Sequence, residues 1–231
     1  MYVEELLRQN VGRRKKFIQR GIRVCMRPTS RIYIGHSTMR YLSRQQAPPL
    51  VTNRILQAKK SGNADLIFVY RHPLDSLLTN WVWWREYLLR NQWIEGISSV
   101  YKNTEELCLD LEKHFSEFES FAGGGSPFSA DSEGLGFLSF PEFVEETDLF
   151  IQSASLSLRM EDFSADPVKE LTKLFRAISF DCHPPDLQAA PPATKMFRFL
   201  EIKERIPQFR SFIADLEPTT KARIEKMGYS L

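Results

Sequence analysis

Residues 65–91, DLIFVYRHPLDSLLTNWVWWREYLLRN, constrain this chain more than any other stretch. DLIFVY is a continuous apolar run with β-branched and aromatic members, the pattern of a strand buried on both faces of a parallel sheet. From Pro73 onward, apolar residues at 74, 77, 78, 81, 84 and 88 fall close to one stripe of a 3.6-residue helix. Proline suits the first helical position, because its fixed φ is already helical and its missing N–H is not needed there. Between strand and helix stand Arg71 and His72, and Asp75 lies in the first turn. Strand ends that feed helix N-termini are where α/β proteins hold phosphates.

Arg71 follows the strand directly, so its planar, permanent charge sits at the sheet edge where such ligands bind. A guanidinium can hold a phosphate through two parallel hydrogen bonds. Asp75 can satisfy free backbone N–H groups in the first turn. Asp75, Thr79 and Trp83 are spaced by four and share a face distinct from the leucine stripe. A Thr79 hydroxyl there is able to add a donor to a phosphate held by Arg71. The plainer alternative is that Arg71 pairs with Asp75 or a neighbouring helix and Thr79 is an ordinary helix residue.

Elsewhere the pattern alternates between strands and helices. Residues 3–23 read as a helix, part of a basic N-terminal segment over 1–30. RIYIGHST (31–38) reads as a strand with Ile32, Ile34 and His36 on one face, and a short helix is expected over 51–60. The Gly- and Ser-rich stretch 121–136 reads as a mobile loop, and SFPEFVEE (139–146) as a short acidic helix. LSLRMEDF (156–163) reads as strand then turn, and residues 165–180 as a helix opened by Asp-Pro. A Pro-rich stretch (182–195) precedes a last helical part ending in MGYSL. The order argues for one α/β domain over 1–231, three layers deep with a mainly parallel central sheet.

Composition narrows the function classes. The 231 residues carry a formal net charge of +2, so no nucleic-acid partner is demanded. Arg and Lys crowd positions 8–31, but no aromatics interleave with them as base stacking needs, and a solvated helix face is the simpler reading. Cys25, Cys108 and Cys182 lie far apart, in neither a metal-ligand nor a disulfide pattern. There is no apolar run of about 18 residues and no signal peptide. A cytoplasmic protein without a membrane span or a metal is expected.

FVYRHPLDSLLT resembles the 3′-phosphate-binding segment of sulfotransferases that use 3′-phosphoadenylyl sulfate: an apolar strand, Arg-x-Pro-x-Asp, then a hydroxyl residue eight places after the arginine, here Thr79. LSLRMEDFSADPVKELTKLFRAISF is similar to the family's strand, Glu-Asp turn and Asp-Pro-started helix. SFPEFVEE resembles its Phe-x-x-Phe-Val segment, and QFRSFIADLEPTTKARIEKMGYSL its closing stretch, with Phe209 where Trp is usual. The ordered set spans most of residues 30–231. The resemblance implies a P-loop-type α/β fold and transfer of a sulfuryl group from 3′-phosphoadenylyl sulfate to a hydroxyl or amine acceptor. It implies that Arg71 and Thr79 bind the nucleotide. Counting back from Phe209 puts Lys203 at the middle of the family's Arg-Lys-Gly, with Ile202 and Glu204 beside it. The family's catalytic histidine falls on His36, within IYIGHST, although the spacing to Arg71 is longer than in many members. A histidine satisfied by backbone at a strand end stays open as the alternative.

The family's opening strand and its Gly/Ser/Thr loop for the 5′-phosphate are not found in residues 1–35, so the chain is expected to begin after that loop. Met160 stands where members often place an adenine-touching Tyr. Trp81, Trp83, Trp84 and Tyr87 either line an acceptor pocket or form core. Without the first strand, a marginally soluble chain or a partner covering the sheet is expected. Three rivals remain: an inactive remnant of the fold serving as a binding or scaffold protein, a nucleotide kinase with Asp162 as its best-placed carboxylate, and a nucleic-acid binder using residues 8–31. The acceptor and the oligomeric state are not legible.

Overall fold

A computed structural model of the chain describes residues 16–19, 22–25, 56, 57, 59–62, 66–90, 100–125, 138–177 and 199–231. In chain order the elements are β1 (Lys16–Gln19), β2 (Ile22–Cys25), β3 (Ile67–Tyr70), α1 (Pro73–Arg90), α2 (Thr104–Lys113), α3 (Phe115–Ala122), α4 (Phe140–Ser153), β4 (Leu156–Arg159), α5 (Met160–Ala165), α6 (Pro167–Ala177), α7 (Phe199–Arg205), α8 (Pro207–Ala214) and α9 (Pro218–Lys226). The described part is mostly helical, with a small parallel sheet. Its chain falls into two compact units that alternate along the sequence: Met1–Met39, Pro48–Tyr70 and Phe150–Pro192 in one, Arg40–Ala47, Arg71–Leu149 and Ala193–Leu231 in the other.

In the first unit, β1 and β2 pair antiparallel, with Phe17 opposite Val24 and Gln19 opposite Ile22. Over 16–19 and 22–23 this corrects the helix expected over 3–23, whose residues 3–15, 20 and 21 lie outside the described residues. Phe17, Ile18, Ile22 and Val24 are strand formers, and Gly21 between the two runs is a poor helix residue. β3 pairs parallel with β4, Ile67 beside Leu156 and Tyr70 beside Arg159. The Leu66 carbonyl accepts from the Ser155 N–H at 2.7 Å just before the ladder begins.

β3 is not buried on both faces as its apolar run predicts, for residues 66–70 are all half-buried. Phe68 instead stacks on Tyr70 and on Phe150, with ring centroids 6.1 Å and 5.2 Å apart. Leu158 of β4 is buried. The expected turn after β4 is the helix α5, whose Phe163 is buried with Leu171 and Leu174 of α6. Asp166 opens α6 by accepting from the Lys169 N–H at 3.0 Å, so the Asp-Pro signal works as a helix start.

The second unit packs around Phe118 of α3. Its ring lies 6.0 Å from Trp81, 5.5 Å from Phe115, 5.6 Å from Phe209 and 5.3 Å from Phe212. α1 presents its expected stripe: Leu74, Leu77, Leu78, Trp81 and Trp84 are all buried, joined by Val82. Trp81 and Trp84 are therefore core, while Trp83 is half-buried. Asn103 caps α2 by accepting from the Glu106 N–H at 2.9 Å. α4 starts on a capping box, in which Glu142 accepts from the Ser139 N–H at 2.8 Å, and it runs to Ser153 rather than stopping at 146.

α9 ends at Gly228, whose φ of +86° suits a residue without Cβ. The Tyr229 N–H reaches the Ile224 carbonyl at 3.3 Å and the Gly228 N–H the Glu225 carbonyl at 2.8 Å, the bond pair of a Schellman motif. This turn directs Tyr229 and Ser230 back to the start of α1. Of the expected loop 121–136, residues 121–122 close α3, and 126–137 lie outside the described residues. The expected strand at 31–38 and the Pro-rich stretch 182–195 also lie outside them.

Candidate functional site

The N-terminus of α1 is built by His72 and the last residues of the chain. His72 is buried, and its Nδ1 accepts from the Leu74 N–H at 3.1 Å, the bond of a helix cap. A ring that accepts at Nδ1 carries its neutral-state proton on Nε2. Nε2 lies 3.3 Å from the Ser230 carbonyl, which accepts from it. The Tyr229 ring packs on the imidazole at 4.7 Å between centroids. His72 thus caps the N-terminus of α1. The Ser76 N–H begins the helix by donating to the His72 carbonyl at 3.0 Å.

Arg71 turns its guanidinium along the flank of α1. Nε donates to the Ser76 hydroxyl at 3.2 Å, and Nη2 donates to the Asp75 carbonyl and to the Thr79 hydroxyl. Arg71 and Thr79, eight positions apart, therefore meet across two turns of one helix. The pairing with Asp75 goes to its main chain. Thr79 Oγ1 donates its own proton to the Asp75 carbonyl at 2.7 Å. Toward Arg71 it is an acceptor, the reverse of the donor role its position suggests. Ser76, unnoticed in the sequence, accepts from Nε.

Lys203 sits half-buried on α7, in the same unit. Among the described residues no hydrogen bond joins it to Arg71, Ser76 or Thr79. His36 lies outside the described residues. Asp162 is exposed on α5, and no group of three or more His, Cys, Asp or Glu side chains suited to a metal occurs among the described residues. Cys108 is buried, which pushes its thiol above the usual range.

A second polar cluster gave no sequence signal. Arg85 of α1, buried, donates to Asp110 of α2 and has Nε 3.6 Å from Glu117. The Tyr101 hydroxyl donates to the same Asp110 oxygen at 2.5 Å. Burial first, and that hydrogen bond second, push the Tyr101 phenol well above its ordinary range. The Arg85 guanidinium also lies 5.4 Å from the Trp81 ring centroid. His114 Nδ1 stands 3.0 Å from Glu117 and its Nε2 3.7 Å from Asp110. Each charge in this cluster faces an opposite one, so it holds helices α1, α2 and α3 in place.

No protein-family model, no curated protein and no solved structure matches this chain. No helix among the described residues is long and apolar enough to cross a membrane.

Proposed function

We propose that the chain binds the ribose 3′-phosphate of 3′-phosphoadenylyl sulfate along the flank of α1, in a P-loop-type sulfotransferase fold, and transfers the sulfuryl group to a hydroxyl or amine acceptor in the cytoplasm. The observation that carries this reading is the meeting of Arg71 with the hydroxyls of Ser76 and Thr79 directly after a strand of a parallel sheet. A guanidinium held in place by its own helix loses little further freedom when an anion arrives. In the reaction the acceptor atom attacks sulfur as the sulfur–oxygen bond to the 5′-phosphate breaks. Adenosine 3′,5′-bisphosphate leaves, and the acceptor's proton passes to His36. Catalysis of this kind consists mainly of positioning and charge stabilisation. Lys203 is assigned a secondary contact to the nucleotide.

A second reading draws on the same geometry. Three bonds from Nε and Nη2 return to α1 itself, which suits a structural brace. On that reading the chain is an inactive remnant that serves as a binding or scaffold protein.

Calorimetric titration of the purified 231-residue chain with adenosine 3′,5′-bisphosphate separates the two. Binding that weakens more than about tenfold in Arg71→Ala is expected, since a charge-assisted hydrogen bond contributes about 1.5–3 kcal/mol. Equal affinity in the variant removes Arg71 from the site. Labelled sulfate transfer across mixed acceptors, lost in His36→Ala, tests turnover.

A further inference from the structure

A hydroxyl has one proton and two lone pairs, so the direction of each bond at the Arg71 cluster decides which group can donate to an anion. Thr79 Oγ1 gives its proton to the Asp75 carbonyl at 2.7 Å and meets Arg71 through its lone pairs. An anion approaching Thr79 would face those lone pairs unless the Asp75 bond were first broken. Ser76 differs. It receives the Arg71 Nε–H at 3.2 Å, and among the described residues its own proton has no acceptor. It is half-buried, so a ligand can reach it.

We infer that Ser76, not Thr79, is the hydroxyl that donates to a phosphate bound on Arg71. The inference rests on the nucleotide reading above and assigns a binding residue that the Arg-x-Pro-x-Asp spacing does not point to. Thr79 becomes a positioning residue: it receives one Nη2 hydrogen and, through Asp75, ties the guanidinium to the second turn of α1. The ligand class is a phosphate monoester on a ribose, recognised by one guanidinium and one serine hydroxyl.

The test is titration of the full chain with adenosine 3′,5′-bisphosphate, with adenosine 5′-monophosphate as the probe lacking the 3′-phosphate. Ser76→Ala is expected to weaken bisphosphate binding about tenfold, as loss of a hydrogen bond to a charged group does, and to leave the monophosphate affinity unchanged. Ser76→Thr, which keeps a hydroxyl, is expected to restore most of the loss, a rescue that a purely structural serine would not show. Thr79→Val, which loosens the guanidinium without removing a donor to the anion, is expected to weaken bisphosphate binding less than Ser76→Ala does. Unchanged binding in Ser76→Ala together with a large loss in Thr79→Val overturns the inference and leaves the nucleotide reading standing. Failure of the parent chain to bind the bisphosphate overturns both.

Discussion

His72 Nε2 stands 3.3 Å from the carbonyl oxygen of Ser230, so a residue at the start of α1 holds the end of the chain 158 positions away. The same ring caps Leu74, and Tyr229 packs on its face. His72→Ala removes all three contacts and is expected to destabilise the protein by about 1–3 kcal/mol, a cap plus a part-buried hydrogen bond. His72→Asn keeps a cap acceptor but loses the ring and is expected to fall between. Urea unfolding measures both, and an alanine variant with the parent's midpoint would show that the clamp contributes nothing.

Asp110 accepts from Arg85 and Tyr101 at once. Asp110→Ala leaves a buried guanidinium without its nearest carboxylate, with Glu117 at 3.6 Å as the remaining partner. A loss of about 3 kcal/mol or more is expected. Replacing three members together, Arg85→Met with Asp110→Leu and Tyr101→Phe, is expected to recover most of it, because no buried guanidinium is left without a carboxylate and Glu117 keeps His114 at 3.0 Å. Thermal melts compare the two, and a triple variant no more stable than Asp110→Ala contradicts the account.

Glu146 of α4 carries a buried carboxylate oxygen with no hydrogen-bond partner among the described residues. Burial first, then the neighbouring charges of Glu142 and Glu145, raise its carboxyl above the usual range. A carboxyl raised in the folded state binds its proton more tightly there than in the unfolded chain. Its ionisation therefore lowers stability as pH rises from the unfolded value through the folded one, and the penalty is constant above that. Glu146→Gln is expected to raise the urea midpoint at pH about 7 and to match the parent below pH about 4, where both states are protonated. A variant less stable than the parent at neutral pH would reject this.

Much of α1 and its surroundings is legible without coordinates, and each legible part has a local cause. Pro73 sets the helix start, and the spacing of 74, 77, 78, 81 and 84 sets the buried face. The Asp166-Pro167 start of α6 is legible for the same reason, its cap and proline being adjacent in the chain. The hairpin at 16–25 escapes the reading because its apolar residues fit a loose helical stripe as well as two short strands. The pairing of β1 with β2 decides between them.

The sequence by itself placed Arg71 at a strand's exit and Thr79 two turns along the next helix, because strand and helix periods fix the spacing of side chains along one element. The tertiary structure alone decided that His72 grips Ser230 and that Asp110 gathers Arg85 and Tyr101. Those outcomes depend on which acceptor each donor reaches in space, and a donor's partner 158 positions away leaves no trace in local spacing.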